Sequence, residues 1–447
     1  MERINPRRVV VRNAWWAASA SLVCVVVYVL GCVLSKPAWS PDSSRVALLV
    51  TPPGDDPHLY AVFTYDIRKG AHRLLDELQA NGILSGPAWS PDGKWIAYYR
   101  VEPSAEPNAP ASAAADPNSG AAATAGAHPV ARQANEEGSA VLPGLLLDLV
   151  KGRVEDKAER FDVKVMVVTP DGKDKRALCT TQWVGRRDDL ARLMVMSPVW
   201  SIDSRHVFYA HTLGEVFSMA EVDLVTGHTR ALCLSSTGSC TPSPDGQWVA
   251  TLLADESKQV ALVLAKADGR MQKYVKLDFD LGDKDDLGLS AEVSWSPDSA
   301  RLLVSMNQKM LLVSAATGEG RLYRDPQIDD TAFGVLSPEG QTIYYIAGLK
   351  KGDPNSPDQD VDLKSLTLAN GQTKRLVRLS EGLAVKSAGR FSISPNGKAV
   401  LFRCTRKDQT GTERAALVLW DGKRSKTIET DPWLEALPGS KQVGGGR

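Results

Sequence analysis

The chain has 447 residues, with 53 Lys and Arg balancing 53 Asp and Glu, so it carries no net charge and projects no field that would draw nucleic acid or another polyanion. That length excludes one ordinary compact core unless the chain is repetitive, and 36 Gly with 26 Pro spread along it demand frequent turns and short elements, the composition of β architecture.

Residues 1–13 form a basic segment with Arg3, Arg7, Arg8 and Arg12, and an uncharged run from Ala14 to Leu34 follows. As a helix that run would rise roughly 30 Å, enough to span a bilayer core. The arginine excess precedes it, so the positive-inside rule keeps residues 1–13 cytoplasmic and exports the rest. Three readings stand open: an uncleaved single-pass transmembrane anchor, a lipoprotein signal in which Val29, Leu30, Gly31 and Cys32 act as a lipobox with anchoring through Cys32, and an ordinary cleaved signal. All three place the body on the extracytoplasmic side, periplasmic or at the cell surface.

A short pattern then recurs seven times. It begins as Pro37-Ala-Trp39-Ser-Pro41-Asp42 and Pro87-Ala-Trp89-Ser-Pro91-Asp92, and continues around Trp200 and Asp203, Pro244 and Asp245, Trp295, Pro297 and Asp298, Pro338 and Glu339, and Pro395 and Asn396. Serine opens a turn, proline presets φ, an acid or amide follows, and glycine or serine exits. The strand beyond each turn carries an apolar residue at one equivalent place: Val46, Ile96, Val207, Val249, Leu302, Ile343 and Val400. Further along each unit comes a second polar turn, at Arg68-Lys69-Gly70, Asp171-Gly172, Thr226-Gly227, Asp268-Gly269, Thr317-Gly318, Asn370-Gly371 and Asp421-Gly422. Two hairpins make a four-stranded antiparallel sheet, and such sheets repeated at about 40 to 50 residues are the signature of propeller blades. The predicted fold is an all-β, seven-bladed β-propeller over 36–429, with six or eight blades as alternatives, a membrane helix before it and a tail at 430–447. Blades start near 37, 87, 198, 241, 293, 334 and 389. The one anomalous interval contains a low-complexity insertion at 101–162.

The Trp-Ser-Pro-Asp-Gly-Lys run at Trp89–Lys94 and its copies resemble the WD40-like repeat of TolB-type propellers and of prolyl-oligopeptidase-type propeller domains. The resemblance implies a toroid with one strand of each blade innermost, the Ser-Pro-Asp-Gly turn joining that strand to the next, and partners or ligands bound on a face or at the channel. TolB proteins have a separate domain before the propeller, where this chain has its apolar run.

Short turns of both kinds lie on one face, and every long connection lies on the other: 101–162 and 348–361 within blades, 181–197, 276–292 and 377–388 between them. The elaborated face is the candidate for function. On it, Trp183, Arg186 and Arg187 form a candidate contact patch, since Trp and Arg are enriched at hot spots, and Leu145, Leu146 and Leu147 form a candidate docking element. The acidic loop with Asp278, Asp280, Asp283 and Asp285 offers oxygen ligands that a calcium ion would accept, and a solvated charged loop explains it as well.

The motif tryptophans read as packing between blades and the motif acids as turn residues. No G-x-S-x-G, H-E-x-x-H or cysteine-rich metal spacing occurs. Expected cofactors are none, and Cys179, Cys233, Cys240 and Cys404 are expected as free thiols. The functional expectation is a non-catalytic envelope scaffold whose partners are the membrane, through one N-terminal anchor, and another envelope or membrane protein, with no nucleic acid. The alternative is a small ligand or carbohydrate bound or processed at the central channel. Because each blade is contiguous in sequence, the ring lacks a shared blade to lock it; packing between blades one and seven, or the tail around Pro432–Leu437, must close it.

Overall fold

The computed structural model describes residues 36–51, 59–79, 82–104, 159–185, 197–213, 216–235, 241–254, 259–266, 272–280, 291–306, 309–324, 333–349, 360–379, 385–407 and 413–437. Seven antiparallel sheets follow one another along the chain. Blade one is β1 (Ala38–Trp39), β2 (Arg45–Val50), β3 (Leu59–Asp66) and β4 (His72–Gln79). Blade two has an inner strand in two pieces, β5 (Ile83–Leu84) and β6 (Ala88–Trp89), both paired with β7 (Ile96–Pro103), then β8 (Glu159–Val168) and β9 (Lys175–Gly185). Blade three is β10 (Val199–Trp200), β11 (His206–Leu213), β12 (Val216–Asp223) and β13 (Thr229–Ser235); blade four is β14 (Thr241–Pro242), β15 (Trp248–Ala254), β16 (Gln259–Lys266) and β17 (Gln272–Asp280). Blade five is β18 (Ala291–Trp295), β19 (Arg301–Met306), β20 (Lys309–Ser314) and β21 (Gly320–Arg324); blade six is β22 (Phe333–Leu336), β23 (Thr342–Leu349), β24 (Asp360–Thr367) and β25 (Thr373–Arg378). Blade seven is β26 (Val385–Ile393), β27 (Val400–Lys407), β28 (Glu413–Trp420) and β29 (Ser425–Glu429), and a short helix α1 (Asp431–Glu435) follows.

The repeat motif explains this geometry locally. In blade one the Arg45 N–H donates to Ser40 Oγ (2.9 Å), the Ser40 hydroxyl to Asp42 Oδ1 (2.6 Å) and the Ser44 N–H to the same oxygen (3.0 Å). The motif thus satisfies its own polar groups and reverses the chain in the fewest residues. The register then puts the seven equivalent apolar residues opposite the motif position, as in Trp39↔Val46, Trp89↔Ile96, Pro242↔Val249 and Ile393↔Val400. All seven are buried.

The innermost strands touch in sequence order, β1 to β6, β10, β14, β18, β22 and β26, and β26 returns to β1, so the ring is closed. Both expected means of closure are present at that joint. The Trp39 indole N–H reaches the Ser392 carbonyl oxygen (3.4 Å) and the Asn396 N–H reaches Ser43 Oγ (3.2 Å). Leu401, Leu417, Leu419 and Ile428 of blade seven share one apolar cluster with Trp39, Val46, Leu48 and Phe63 of blade one, and with Trp433, Leu434 and Leu437 from α1 and the residues after it.

One sequence boundary shifts. Val101, Glu102 and Pro103 pair with Val163, Asp162 and Phe161, so β7 and β8 continue past the expected limits of the insertion and only 104–158 separates them. The apolar run at Ala14–Leu34 lies outside the described residues. Among the described residues, no helix is long and apolar enough to cross a membrane.

Candidate functional site

The two faces of the ring differ in what their side chains are free to do. On the short-turn face the motif acids are consumed by their own turns. The Ser40 hydroxyl, with backbone help from Ser44, holds Asp42 at about 2, and the Ser201 and Ser296 hydroxyls hold Asp203 and Asp298 below their ordinary range. The second turns behave likewise: the Thr226 N–H keeps Asp223 well below the usual carboxylate range. These carboxylates are turn-stabilising anions with their acceptor capacity already engaged.

The tryptophans are engaged too. The Trp200 indole N–H donates to the Ala88 carbonyl oxygen (3.1 Å) and that of Trp295 to the Thr241 carbonyl oxygen (2.7 Å), each reaching the preceding blade as Trp39 does. Trp89 differs: its buried indole N–H has no acceptor among the described residues, and the Arg45 guanidinium lies over its ring at 5.3 Å.

The channel mouth on the opposite, elaborated face holds a buried carboxylate that is only half engaged. Strands β1 and β18 show the same register, Trp39↔Val46 and Trp295↔Leu302, so Lys36 and Glu292 occupy equivalent places three residues before their tryptophans. Lys36 Nζ lies 2.8 Å from Glu292 Oε1. In a ring of seven, blades one and five are three steps apart, the largest separation available. A direct contact between equivalent inner positions therefore crosses the lumen. The Glu292 side chain is 7% exposed, that of Lys36 38%. Glu292 Oε2 is buried without a hydrogen-bond partner among the described residues. At the matching places Gly86, Ser197 and Phe333 are uncharged, and blade seven has Arg390, whose side chain lies outside the description.

A second buried carboxylate is fully engaged. Asp76 on β4 accepts from Arg100 Nη1 (3.0 Å to each oxygen), Lys175 Nζ (2.7 Å) and the Tyr98 hydroxyl (2.8 Å), which ties blade one to blade two. Arg100 continues to Glu102 (2.8 Å), which also meets Lys164 Nζ (2.6 Å). Desolvation, reinforced by the Asp76 charge, pushes the Tyr98 hydroxyl far above its ordinary range. This network is satisfied throughout and serves as an inter-blade latch.

Of the residues singled out by sequence, Trp183 is corrected: it is buried on β9 with its ring 5.7 Å from that of Phe161, so it belongs to the blade-two core and is no surface contact. Arg186, Arg187, Leu145, Leu146, Leu147, Asp283 and Asp285 lie outside the described residues. The backbone places Asp278 and Asp280 on β17, at the end approaching the elaborated face; their side chains lie outside the description. Among the described side chains, no group of three His, Cys, Asp or Glu gathers as a metal site would require. Cys179 is a free thiol, half-buried and raised by desolvation. His72 stacks on Trp433 at 4.6 Å, part of the ring closure.

Neither Lys36 nor Glu292 stood out in the sequence. Aligning repeats would reveal that they are equivalent, but only the ring order shows that they meet. Asp76, in the run His72–Gln79, reads as an exposed residue of an outer strand until the neighbouring blade supplies its three donors.

No family model matches the sequence, and no curated relative is found. Solved structures share the architecture. The chain is similar to an oligogalacturonate lyase in complex with manganese, at 14% identity over 90% of each chain with a TM-score of 0.50. It also matches TolB from Acinetobacter baumannii, at 14% identity over 86% of this chain and 79% of that one (TM-score 0.40), and the Pyrococcus horikoshii acylaminoacyl peptidase, at 13% identity over 91% of this chain and 54% of that one (TM-score 0.48). At such identities the likeness is one of fold: the chain is a seven-bladed β-propeller whose structural neighbours include TolB and other propellers.

Proposed function

We propose that the protein is a membrane-anchored, extracytoplasmic, non-catalytic scaffold that holds a partner of the cell envelope on its elaborated face. The observation that carries this reading is the place where the chain enters the ring. Lys36, two residues beyond the apolar run, is held across the channel mouth of that face. An anchor formed by Ala14–Leu34 would therefore leave near the propeller axis and turn the elaborated face toward the bilayer. Anything bound there is itself a membrane protein or a component held at the bilayer surface. The engaged motif acids on the short-turn face support the same assignment, because they leave that face with turns satisfied by their own side chains.

The test is crosslinking and co-purification from native membranes, comparing the full chain with one in which 105–158 is replaced by a short Gly-Ser turn. Specific capture of one envelope protein by the first, lost in the second, is the expected result. Capture of nothing by either, with binding of a sugar or metal by the purified protein, would overturn the scaffold reading in favour of ligand chemistry at the channel.

A further inference from the structure

We infer that Glu292 is the acceptor of a binding site for a primary ammonium group, the end of a lysine side chain on a partner polypeptide, and that Lys36 occupies this site as a tethered substitute when the partner is absent.

The argument starts from the carboxylate. Its side chain is 7% exposed, one oxygen meets Lys36 Nζ at 2.8 Å, and the other is buried with no partner among the described residues. A carboxylate withdrawn this far from water is ordinarily surrounded by donors, as Asp76 is by Arg100, Lys175 and Tyr98 in the same molecule. Glu292 has one donor and spare acceptor capacity, on the wall of a lumen. None of the equivalent positions Gly86, Ser197, Phe333 and Arg390 brings a second anion, so the site does not have the several hard oxygens that a divalent metal requires.

What it fits is defined by its occupant. Lys36 shows that an unbranched stem with a terminal ammonium passes into the mouth and bonds the carboxylate. An ammonium has three donors, and Lys36, coming from the wall of blade one, uses them on Oε1 and leaves Oε2 without a partner among the described residues. The side chain of Lys36 is more than a third exposed, so it can withdraw into solvent when displaced. Tethering sets the strength of the competition: a group held by a short flexible connection acts at an effective concentration in the millimolar range. Amines offered from outside therefore bind the intact protein weakly, and removal of Lys36 raises their apparent affinity by the reciprocal of the fraction of sites that Lys36 leaves free. The inference does not depend on membrane anchoring, and its test requires neither a membrane nor a captured protein.

The experiment uses the full chain purified in detergent, titrated with n-pentylammonium chloride, with n-pentanol and sodium chloride as controls, and followed by calorimetry and thermal unfolding. The expected result is binding at least ten-fold tighter in Lys36→Ala than in the unsubstituted protein, a rise in melting temperature confined to the ammonium, and loss of both in Lys36→Ala combined with Glu292→Gln. A capped peptide containing one lysine should compete with n-pentylammonium in Lys36→Ala, and its alanine counterpart should not. Equal affinity with and without Lys36, or a response that survives Glu292→Gln, would overturn the inference. Lys36→Met, which keeps the stem and drops the charge, provides the same comparison if alanine disturbs the fold.

Discussion

Ser43, Ser204 and Ser299 hold φ of 60°, 59° and 57°, a left-handed conformation that the other motif turns give to glycine. Each serine offsets its strain by accepting a backbone N–H from the preceding blade: Asn396 to Ser43 (3.2 Å), Asp92 to Ser204 (2.9 Å) and Asp245 to Ser299 (2.9 Å). These are the same three joints at which a tryptophan indole crosses, so a Trp and a Ser four residues apart mark a doubly bonded joint. The sequence shows Gly and Ser alternating at the turn exit, but the bond of the serine to the preceding blade becomes visible only in three dimensions. Ser204→Ala keeps the strain and loses the bond, and should cost about 1–2 kcal/mol in urea unfolding; Ser204→Gly loses the bond but relieves the strain and should cost under about 0.5 kcal/mol. Equal costs for the two would refute this account.

The turn acids make a prediction about pH. Asp42 and Asp171 are held at about 2 against an ordinary 3.8, by the Ser40 and Thr169 hydroxyls first, and Asp203 and Asp298 are lowered as well. A carboxyl whose folded value lies below its unfolded one stabilises the fold fully above about pH 4, and that contribution disappears as pH falls through 4 toward 2. The urea midpoint should hold steady from pH 7 to about 5 and fall steeply between 4 and 2. A profile that is flat across that window would show that the turns do not hold their acids as described.

At the scale of elements, α1 closes what the blades alone leave weakly joined. Trp433 stacks on His72 (4.6 Å) and Tyr65 (5.5 Å) and tilts against Phe63 (5.5 Å), so one side chain from the end of the chain covers the outer part of blade one. Trp433→Ala should destabilise the protein by about 3 kcal/mol. Amide exchange should quicken first in β1, β4 and β29, with β14 to β21 keeping their protection; uniform loss of protection would argue against a local latch. The strands themselves were legible because each repeat carries its own turn chemistry and apolar register. Closure was legible only as a pair of alternatives, since stacking of aromatics nearly the whole chain apart has no local pattern.

For the molecule as a whole, the blade count followed from seven copies of one motif, but the contents of the lumen did not. Lys36 and Glu292 carry no motif, and their encounter depends on how many blades separate them. The same independence of the blades makes the insertion dispensable for folding. Because β7 and β8 are paired out to Pro103↔Phe161, replacing 105–158 by a short turn should leave the melting temperature within a few degrees. A drop of ten degrees or more would mean that the insertion packs on the ring.

Six of the seven joints link blades adjacent in the chain, and the last links residues 353 apart, against 54 for the Trp295 bond to blade four. Loop-closure entropy grows as the logarithm of that separation, so the seventh joint costs about 1.7 kcal/mol more to form than a neighbouring one. The molecule therefore assembles as a lengthening arc, with the ends meeting last. Blade one bears the tryptophan and serine pair at that seam and receives the aromatic stack of α1, so the added entropy falls where the contacts are densest.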